Sequence, residues 1–150
     1  SSAASDVYKR QNEKILIARA VPLVLKKLAI RSVYTSAALA NTSTITNIGN
    51  MKVVADCGKD CHIVDEHNYI YLLSEADGIH IIRKDSQYGR YVSIIPMSEN
   101  VSLSLEGFKY TLDNYELKQG LSICQSNEVE DEQGIIKVHK GLIIVLETKD

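Results

Sequence analysis

A chain of 150 residues suits one folded domain with a real core, and 45% hydrophobic with 24% charged residues is ordinary globular composition. There is no Trp, one Phe and eight Tyr, so the core must rest on Ile, Leu and Val. The net charge of −2 hides an asymmetry, with seven Lys and Arg against two acids in residues 1–40 and ten against seventeen afterwards. A basic leading segment can meet nucleic acid or anionic lipid, but no basic stripe continues past residue 40, which disfavours nucleic acid.

The first eleven residues, SSAASDVYKRQ, resemble a peptide that recurs when sequencing-adapter DNA is translated in assembled environmental reads. They are expected to be a non-native or disordered leader, with residues 12–150 forming a single α+β domain, possibly a fragment of a larger protein. The partner implied is then the missing N-terminal portion of its own protein, or another protein chain.

From Asn12 to Leu39 the pattern is helical. Val21, Val24, Leu25 and Leu28 fall at i, i+3, i+4 and i+7, one apolar stripe. Pro22 suits the first turn of a helix starting near residue 21. The apolar run from Ile15 to Ile30 is interrupted by Arg19, Lys26 and Lys27, so no transmembrane segment is expected.

After Asn41 the period changes. Thr42, Ser43, Thr44, Ile45 and Thr46 are rich in β-branched residues and stop at Asn47-Ile-Gly-Asn50, which predicts a hydroxyl-rich strand. Strand alternation would put Thr42, Thr44 and Thr46 on one face. Further strands are expected at Lys52–Ala55, Tyr69–Leu73, Ile79–Arg83, Tyr91–Pro96, Val101–Leu105, Phe108–Leu112, Leu121–Gln125, Ile135–Val138 and Leu142–Glu147. Ser74-Glu-Ala-Asp-Gly78, Glu106-Gly107 and His139-Lys-Gly141 read as turns, and Glu128–Glu132 as a solvated loop. The fold class is therefore α+β, a leading amphipathic helix followed by a mainly antiparallel β-sheet.

No complete catalytic motif is present. Cys57-Gly-Lys-Asp-Cys61-His62, with His67 nearby, is the nearest approach to a metal cluster, but structural zinc wants four ligands and no second cysteine pair exists. Three cysteines, Cys57, Cys61 and Cys124, without a secretory signal point to free thiols and a cytoplasmic setting. The sequons at Asn41 and Asn100 matter only in a secreted chain. His80 alternates with Ile79 and Ile81 and is expected to point outward, and His139 to sit at a turn. Asp65-Glu-His67 and Glu75-Ala-Asp77 lie beside turn signals, where acids are usually solvated.

The stretch Val21–Val54 resembles the C-terminal half of condensation-domain-like, coenzyme-A-dependent acyltransferases, above all the alcohol-acetyltransferase-like group. Val21, Pro22, Leu23, Leu25 and Lys26 resemble the family's helix, Tyr34 a tyrosine that follows it, and Thr44, Ile45, Thr46, Asn47, Ile48 and Gly49 its hydroxyl-rich strand. The resemblance covers about a quarter of the chain, and the family's His-His-x-x-x-Asp motif is absent. It implies a C-terminal acyltransferase-like fragment that shapes part of a substrate channel and is inactive alone. Thr44, Thr46, Asn47 and Gly49 would contact substrate, and the only cofactor implied is a coenzyme A thioester. The alternative is a non-catalytic β-rich binding or structural module with a helix docked on its sheet or on a partner.

Overall fold

The computed structural model describes residues 32–36, 43–121 and 123–149. Its chain divides into two compact units, residues 1–33 with 40–61 and residues 34–39 with 62–150. The first unit contains α1 (Ser43–Asp56). This helix closes with the amides of Cys57 and Gly58 donating to the carbonyls of Val54 and Ala55, and Gly58 takes φ 69°. Lys52 and Asp56, four residues apart, pair at 3.0 Å on its surface.

Among the described residues there are ten strands: β1 (Ser32–Ser36), β2 (Asp60–Val64), β3 (Asn68–Ser74), β4 (Ile79–Arg83), β5 (Tyr91–Pro96), β6 (Val101–Glu106), β7 (Leu112–Leu117), β8 (Asn127–Glu128), β9 (Gln133–Lys140) and β10 (Leu142–Thr148). They form two sheets, one in the order β1-β2-β3-β10-β5-β8 and one in the order β4-β9-β6-β7. The strand pairs with a described register are antiparallel, such as β10 against β3 and β5, and β9 against β4 and β6. The second unit is thus a sandwich, whose inner faces meet in one core of Leu73, Val92, Ile94, Ile143 and Val145 against Ile82, Leu103, Leu105, Leu117, Ile136 and Val138. Phe108, the lone phenylalanine, is 3% exposed within it.

The α+β class and the antiparallel character agree with the sequence reading. β4 and β5 have the expected limits, and β3, β6, β9 and β10 run one to four residues beyond theirs. The apolar stripe from Val21 to Leu28 lies outside the described residues. The helix expected to reach Leu39 does not do so, because Ser32–Ser36 is β1.

The larger correction concerns residues 43–55. The expected hydroxyl-rich strand and the strand at Lys52–Ala55 are together the helix α1. β-branched residues lower helix propensity by only tenths of a kcal/mol each, about 0.7 or less, and the run Asn50-Met-Lys-Val-Val-Ala-Asp56 holds no breaker. The expected strand at Phe108–Leu112 is a single bridge, Phe108 to Val129, and β7 starts where it was to end. Where a strand was expected at Leu121–Gln125, residues 123–125 form turns and bends. There Cys124 is buried and its carbonyl accepts from Ile94 N–H at 2.8 Å. β2 and β8 were unexpected, β8 because it includes the first acid of the acidic run.

The turns behave as their residues require. Ser74 caps a single 3-10 turn (Glu75–Asp77) in a capping box with Asp77, and Gly78 leaves it at φ 69°. Gly141 turns β9 into β10 at φ 87°. Gly89 has a different task. A Cβ there would overlap the backbone of Thr148, so two chain segments meet with no room for a side chain. Gly89→Ala is expected to destabilise the domain by about 1–3 kcal/mol, the usual cost of overpacking. Ile136→Ala, at a fully buried core position, should cost about 2–5 kcal/mol. Ile79→Ala, at an exposed site, should stay within about 0.5 kcal/mol. Denaturant melts of the three variants check the contrast.

Candidate functional site

Three buried polar residues, Glu147, Asn127 and Ser104, interrupt the apolar sandwich among the described residues. The first lies where β2, β3, β4 and β10 come together. Strand alternation brings Glu147 to the inner face of β10, in line with Ile143 and Val145, and Tyr69 and Tyr71 to the inner face of β3. Glu147 is 5% exposed. Its Oε1 accepts from the Tyr71 hydroxyl at 3.0 Å and its Oε2 from Tyr88 N–H at 2.8 Å, with the Gly89 amide as a third donor. Burial pushes the Glu147 carboxyl up, and these donors pull against that shift. The Tyr71 hydroxyl is pushed well above its ordinary range by burial first and by the Glu147 charge second.

His80 Nε2 stands 2.9 Å from the same Tyr71 oxygen. With its proton committed to Glu147, Tyr71 accepts from His80 Nε2–H. Burial lowers the His80 pKa, which favours that neutral ring. The sequence reading had His80 pointing outward. The structure reverses the face: Ile79 and Ile81 are 60% and 49% exposed while Ile82 is buried beside His80. The reason is Arg83. Turning Ile79 and Ile81 inward would bury a guanidinium too, whereas a histidine with a hydroxyl partner costs far less to bury.

Around this knot the aromatic side chains gather. His62 stacks on Tyr69 with centroids 5.6 Å apart and hydrogen-bonds its hydroxyl at 2.9 Å. Tyr88 lies 5.7 Å from Tyr69, and its hydroxyl donates to the Asp65 carbonyl. A recess of about 440 Å³ opens here, lined among others by Val64, Tyr69, His80, Gln87, Tyr88 and Glu147. Gln87 Oε1 is buried without a hydrogen-bond partner, the single such side-chain atom among the described residues. An unsatisfied buried acceptor costs about 1–3 kcal/mol.

The second feature is Asn127, 3% exposed on β8. Its Oδ1 accepts from Tyr110 N–H and Glu128 N–H, each at 3.0 Å, and its Nδ2 donates to the Tyr110 carbonyl at 2.8 Å. Both backbone polar groups of Tyr110 are thus held by one carboxamide, while the tyrosine ring is 59% exposed. Ser126, at φ 52°, delivers the chain into β8 with its amide on the Ser93 hydroxyl. Beside the ring, Lys109 Nζ sits 5.8 Å from its centroid, and Glu128 pairs with Arg90 at 2.8 Å and with Lys109 at 3.7 Å.

The residues singled out from sequence lie elsewhere. Thr44, Thr46, Asn47 and Gly49 are on α1, and Gly49 is exposed. Cys57 follows that helix, Cys61 is buried in β2, and burial raises the Cys61 and Cys124 thiols. No group of three metal-ligating side chains occurs among the described residues. Asp65 caps a turn, accepting from His67 and Asn68 amides at 2.8 and 2.7 Å. His139 belongs to β9 and not to a turn. Its Nε2 lies 2.7 Å from Ser104 Oγ, which also accepts from Asn114 N–H at 2.9 Å. Ser104 is 6% exposed and closed in on both sides, so this serine–histidine pair pins the irregular β6–β7 register and offers no nucleophile. No helix among the described residues is long and apolar enough to cross a membrane.

Comparison with known proteins overturns the acyltransferase resemblance. Residues 79–143 match the sequence profile described as the thiamin pyrophosphokinase vitamin B1 binding domain. The chain is 36% identical to the thiamine pyrophosphokinase of Bacillus subtilis (strain 168) over 89 residues, which cover 59% of this chain and 40% of that protein. The crystal structure of the Bacillus subtilis thiamine pyrophosphokinase superposes with a TM-score of 0.73 at 28% identity, over 87% of this chain and 61% of that one. That of Geobacillus thermodenitrificans thiamin pyrophosphokinase gives 0.72 at 25%, over 87% and 60%. The chain therefore spans less than two thirds of the length of these relatives. With the hydroxyl-rich strand replaced by a helix and the likeness running to thiamine pyrophosphokinases, the condensation-type fragment and its coenzyme A thioester fall. The alternative reading, a β-rich binding module, fits better.

Glu147 makes stability depend on pH. Its folded pKa lies above the ordinary 4.5, so the folded chain holds this proton more tightly than the unfolded chain. Stability from this group is greatest below pH 4.5 and falls as pH rises through the raised value. Glu147→Gln should abolish that decline, so the difference between variant and parent melting temperatures should grow in the variant's favour from pH 4.5 upward. Parallel thermal melts between pH 4 and 8 check it; a constant difference would contradict the burial argument.

Proposed function

We propose that this chain is a thiamine-binding module of the thiamine pyrophosphokinase type. The observation that carries the reading is the match of residues 79–143 to a vitamin B1 binding domain, a stretch that contains both Tyr110 and Asn127. The geometry supplies a reason for those two residues. Thiamine joins a cationic thiazolium ring to an aminopyrimidine. An exposed tyrosine ring whose backbone cannot move is a platform for a flat cation, and such contacts are worth about 0.5–2 kcal/mol. Asn127 provides the rigidity, since moving Tyr110 would break two hydrogen bonds to a buried amide. Glu128, one residue on, places a carboxylate at the same surface, where Arg90 and Lys109 hold it and a cationic ligand would have to displace Lys109.

The role proposed is to bind and orient the vitamin. Pyrophosphoryl transfer to its hydroxyl needs a phosphate donor site and charge-neutralising groups, which this reading assigns to the remainder of a longer protein. Titration calorimetry on the chain with thiamine tests the binding. Tyr110→Ala should weaken it about tenfold, equivalent to about 1.4 kcal/mol, and leave the fold intact because the ring is exposed. Tyr110→Phe should stay within about threefold. Equal affinity in Tyr110→Ala and parent would remove the platform, and no binding by a folded parent chain would remove the reading.

A further inference from the structure

We propose that Glu147, Tyr71 and His80 form a switch in which protonation of Glu147 reverses two hydrogen bonds and changes the neutral His80 ring from its Nε2–H to its Nδ1–H tautomer. The proposal does not rest on thiamine binding. Side chains from three strands make one line. Glu147 Oε1 lies 3.0 Å from the Tyr71 hydroxyl, and the same hydroxyl lies 2.9 Å from His80 Nε2. A hydroxyl has a single proton to give. While Glu147 is ionised that proton goes to Oε1, and the Tyr71 oxygen accepts from His80 Nε2–H.

The surroundings of the carboxylate decide where a new proton can sit. Its Oε2 accepts from Tyr88 N–H at 2.8 Å, and the Gly89 amide is a further donor to the group. An amide N–H cannot accept, so a proton on Oε2 would face a donor. On Oε1 it meets the Tyr71 oxygen, which can accept. The Tyr71 proton must then turn to His80, and Nε2 must present a lone pair, which leaves the ring proton on Nδ1. One proton enters at Oε1, the Tyr71 hydroxyl keeps one, and the ring exchanges its Nε2 proton for one at Nδ1, a net uptake of one. With Glu147 protonated, an imidazolium at His80 would set two donors against the Tyr71 oxygen and leave the hydroxyl proton without an acceptor, so the line opposes protonating both ends together. Oε2 keeps the Tyr88 amide throughout, so the backbone does not have to move. What changes is Nδ1 of a ring that lines the recess beside the 84–90 loop, from acceptor to donor.

The neighbouring titratable groups are otherwise engaged. Tyr69, opposite Glu147 on β3, bonds His62, and Tyr88 in the loop donates to the Asp65 carbonyl. On the other edge of β10, β5 sets only Val92 opposite Glu147. Lys149 lies over the Tyr88 ring at 4.1 Å, and Arg83 pairs with Asp85. His62 disfavours a charge on His80 and Asp77 favours it. Burial raises the Glu147 carboxyl and lowers the His80 ring, and both shifts favour a protonated Glu147 beside a neutral ring.

Nitrogen NMR of the histidine rings on the full chain tests the switch, because protonated and unprotonated ring nitrogens resonate far apart. At pH 8 the parent His80 should be the Nε2–H tautomer. Glu147→Gln mimics the protonated state at any pH. The Tyr88 amide needs the carboxamide oxygen, so the carboxamide nitrogen faces Tyr71 and donates to it. His80 should then be the Nδ1–H tautomer at pH 8, while the Tyr88 amide keeps its protection from hydrogen exchange. Tyr71→Phe cuts the line, so adding Glu147→Gln to it should leave the His80 tautomer unchanged. In the parent, lowering the pH from 8 to 4 should bring in the Nδ1–H form as Glu147 takes its proton. The parent titration needs no substitution, so it decides alone if a variant does not fold. The proposal is overturned if folded Glu147→Gln keeps His80 as Nε2–H, if Glu147→Gln changes the tautomer equally with and without Tyr71, or if the parent ring passes from Nε2–H to imidazolium with no Nδ1–H form between.

Discussion

The sandwich is organised by β10. It pairs with β3 over seven residues and with β5 over six, and Ile143, Ile144 and Val145 are all buried. A strand bonded on both edges and buried on both faces has only one register that keeps its apolar residues inside. That register decides where everything polar goes. It sets Glu147 opposite Tyr69 and Val92, one inward position beyond Val145, so the last inward residue of the central strand is a carboxylate. The Tyr71 hydroxyl and the Tyr88 and Gly89 amides answer that carboxylate, and the 84–90 loop is tied to the sheet in consequence.

A buried carboxylate adds less to stability than an apolar residue in the same place would, once desolvation is counted. What it adds is definition. The loop from Lys84 to Arg90 must pass close enough to Thr148 that Gly89 has no space for a side chain, and it must bring its amides to one point. An apolar residue at 147 would fill the volume but leave those N–H groups unanswered, at about 1–3 kcal/mol each. Asn127 solves the same problem at β8, where its carboxamide answers the backbone of Tyr110 and of Glu128.

Strand periodicity was legible wherever it was strong. Ile79–Arg83 and Tyr91–Pro96 stop at a charge-rich loop and at a proline, and their limits could be read directly. Residues 43–55 were misread because a strand was inferred from β-branched content alone, and propensity is a weak prior against context. The acyltransferase resemblance rested on the same residues and failed with them. His80 was placed on the wrong face because its two isoleucine neighbours looked like the buried pair; Arg83, in phase with them, was the signal that should have decided it. The site residues were harder to see. Asn127 sits next to an acidic run that reads as solvated loop, and nothing local marks Glu147 as different from other strand-end acids. Both are defined by partners 17 to 76 residues away.

The two polar knots share a logic that bears on function. A sandwich core of Ile, Leu and Val can hold strands in place, but it offers a polar ligand nothing to recognise. Recognition has to come from loops, and loops recognise only if they are rigid. Asn127 fixes a backbone so that the Tyr110 ring stands in solvent. Glu147 fixes another so that Tyr88 lines a recess beside an unsatisfied amide. In each case a buried polar side chain is spent on positioning, and at Asn127 an aromatic ring is left to make the contact. At the platform the Tyr110 ring is exposed, and Glu128 beside it is held by Arg90 and Lys109. At the recess the Glu147 carboxylate is likewise answered, by the Tyr71 hydroxyl and the amides of Tyr88 and Gly89. The two anchors differ in where each sits in the fold, one on a two-residue edge strand and the other at the end of the central strand.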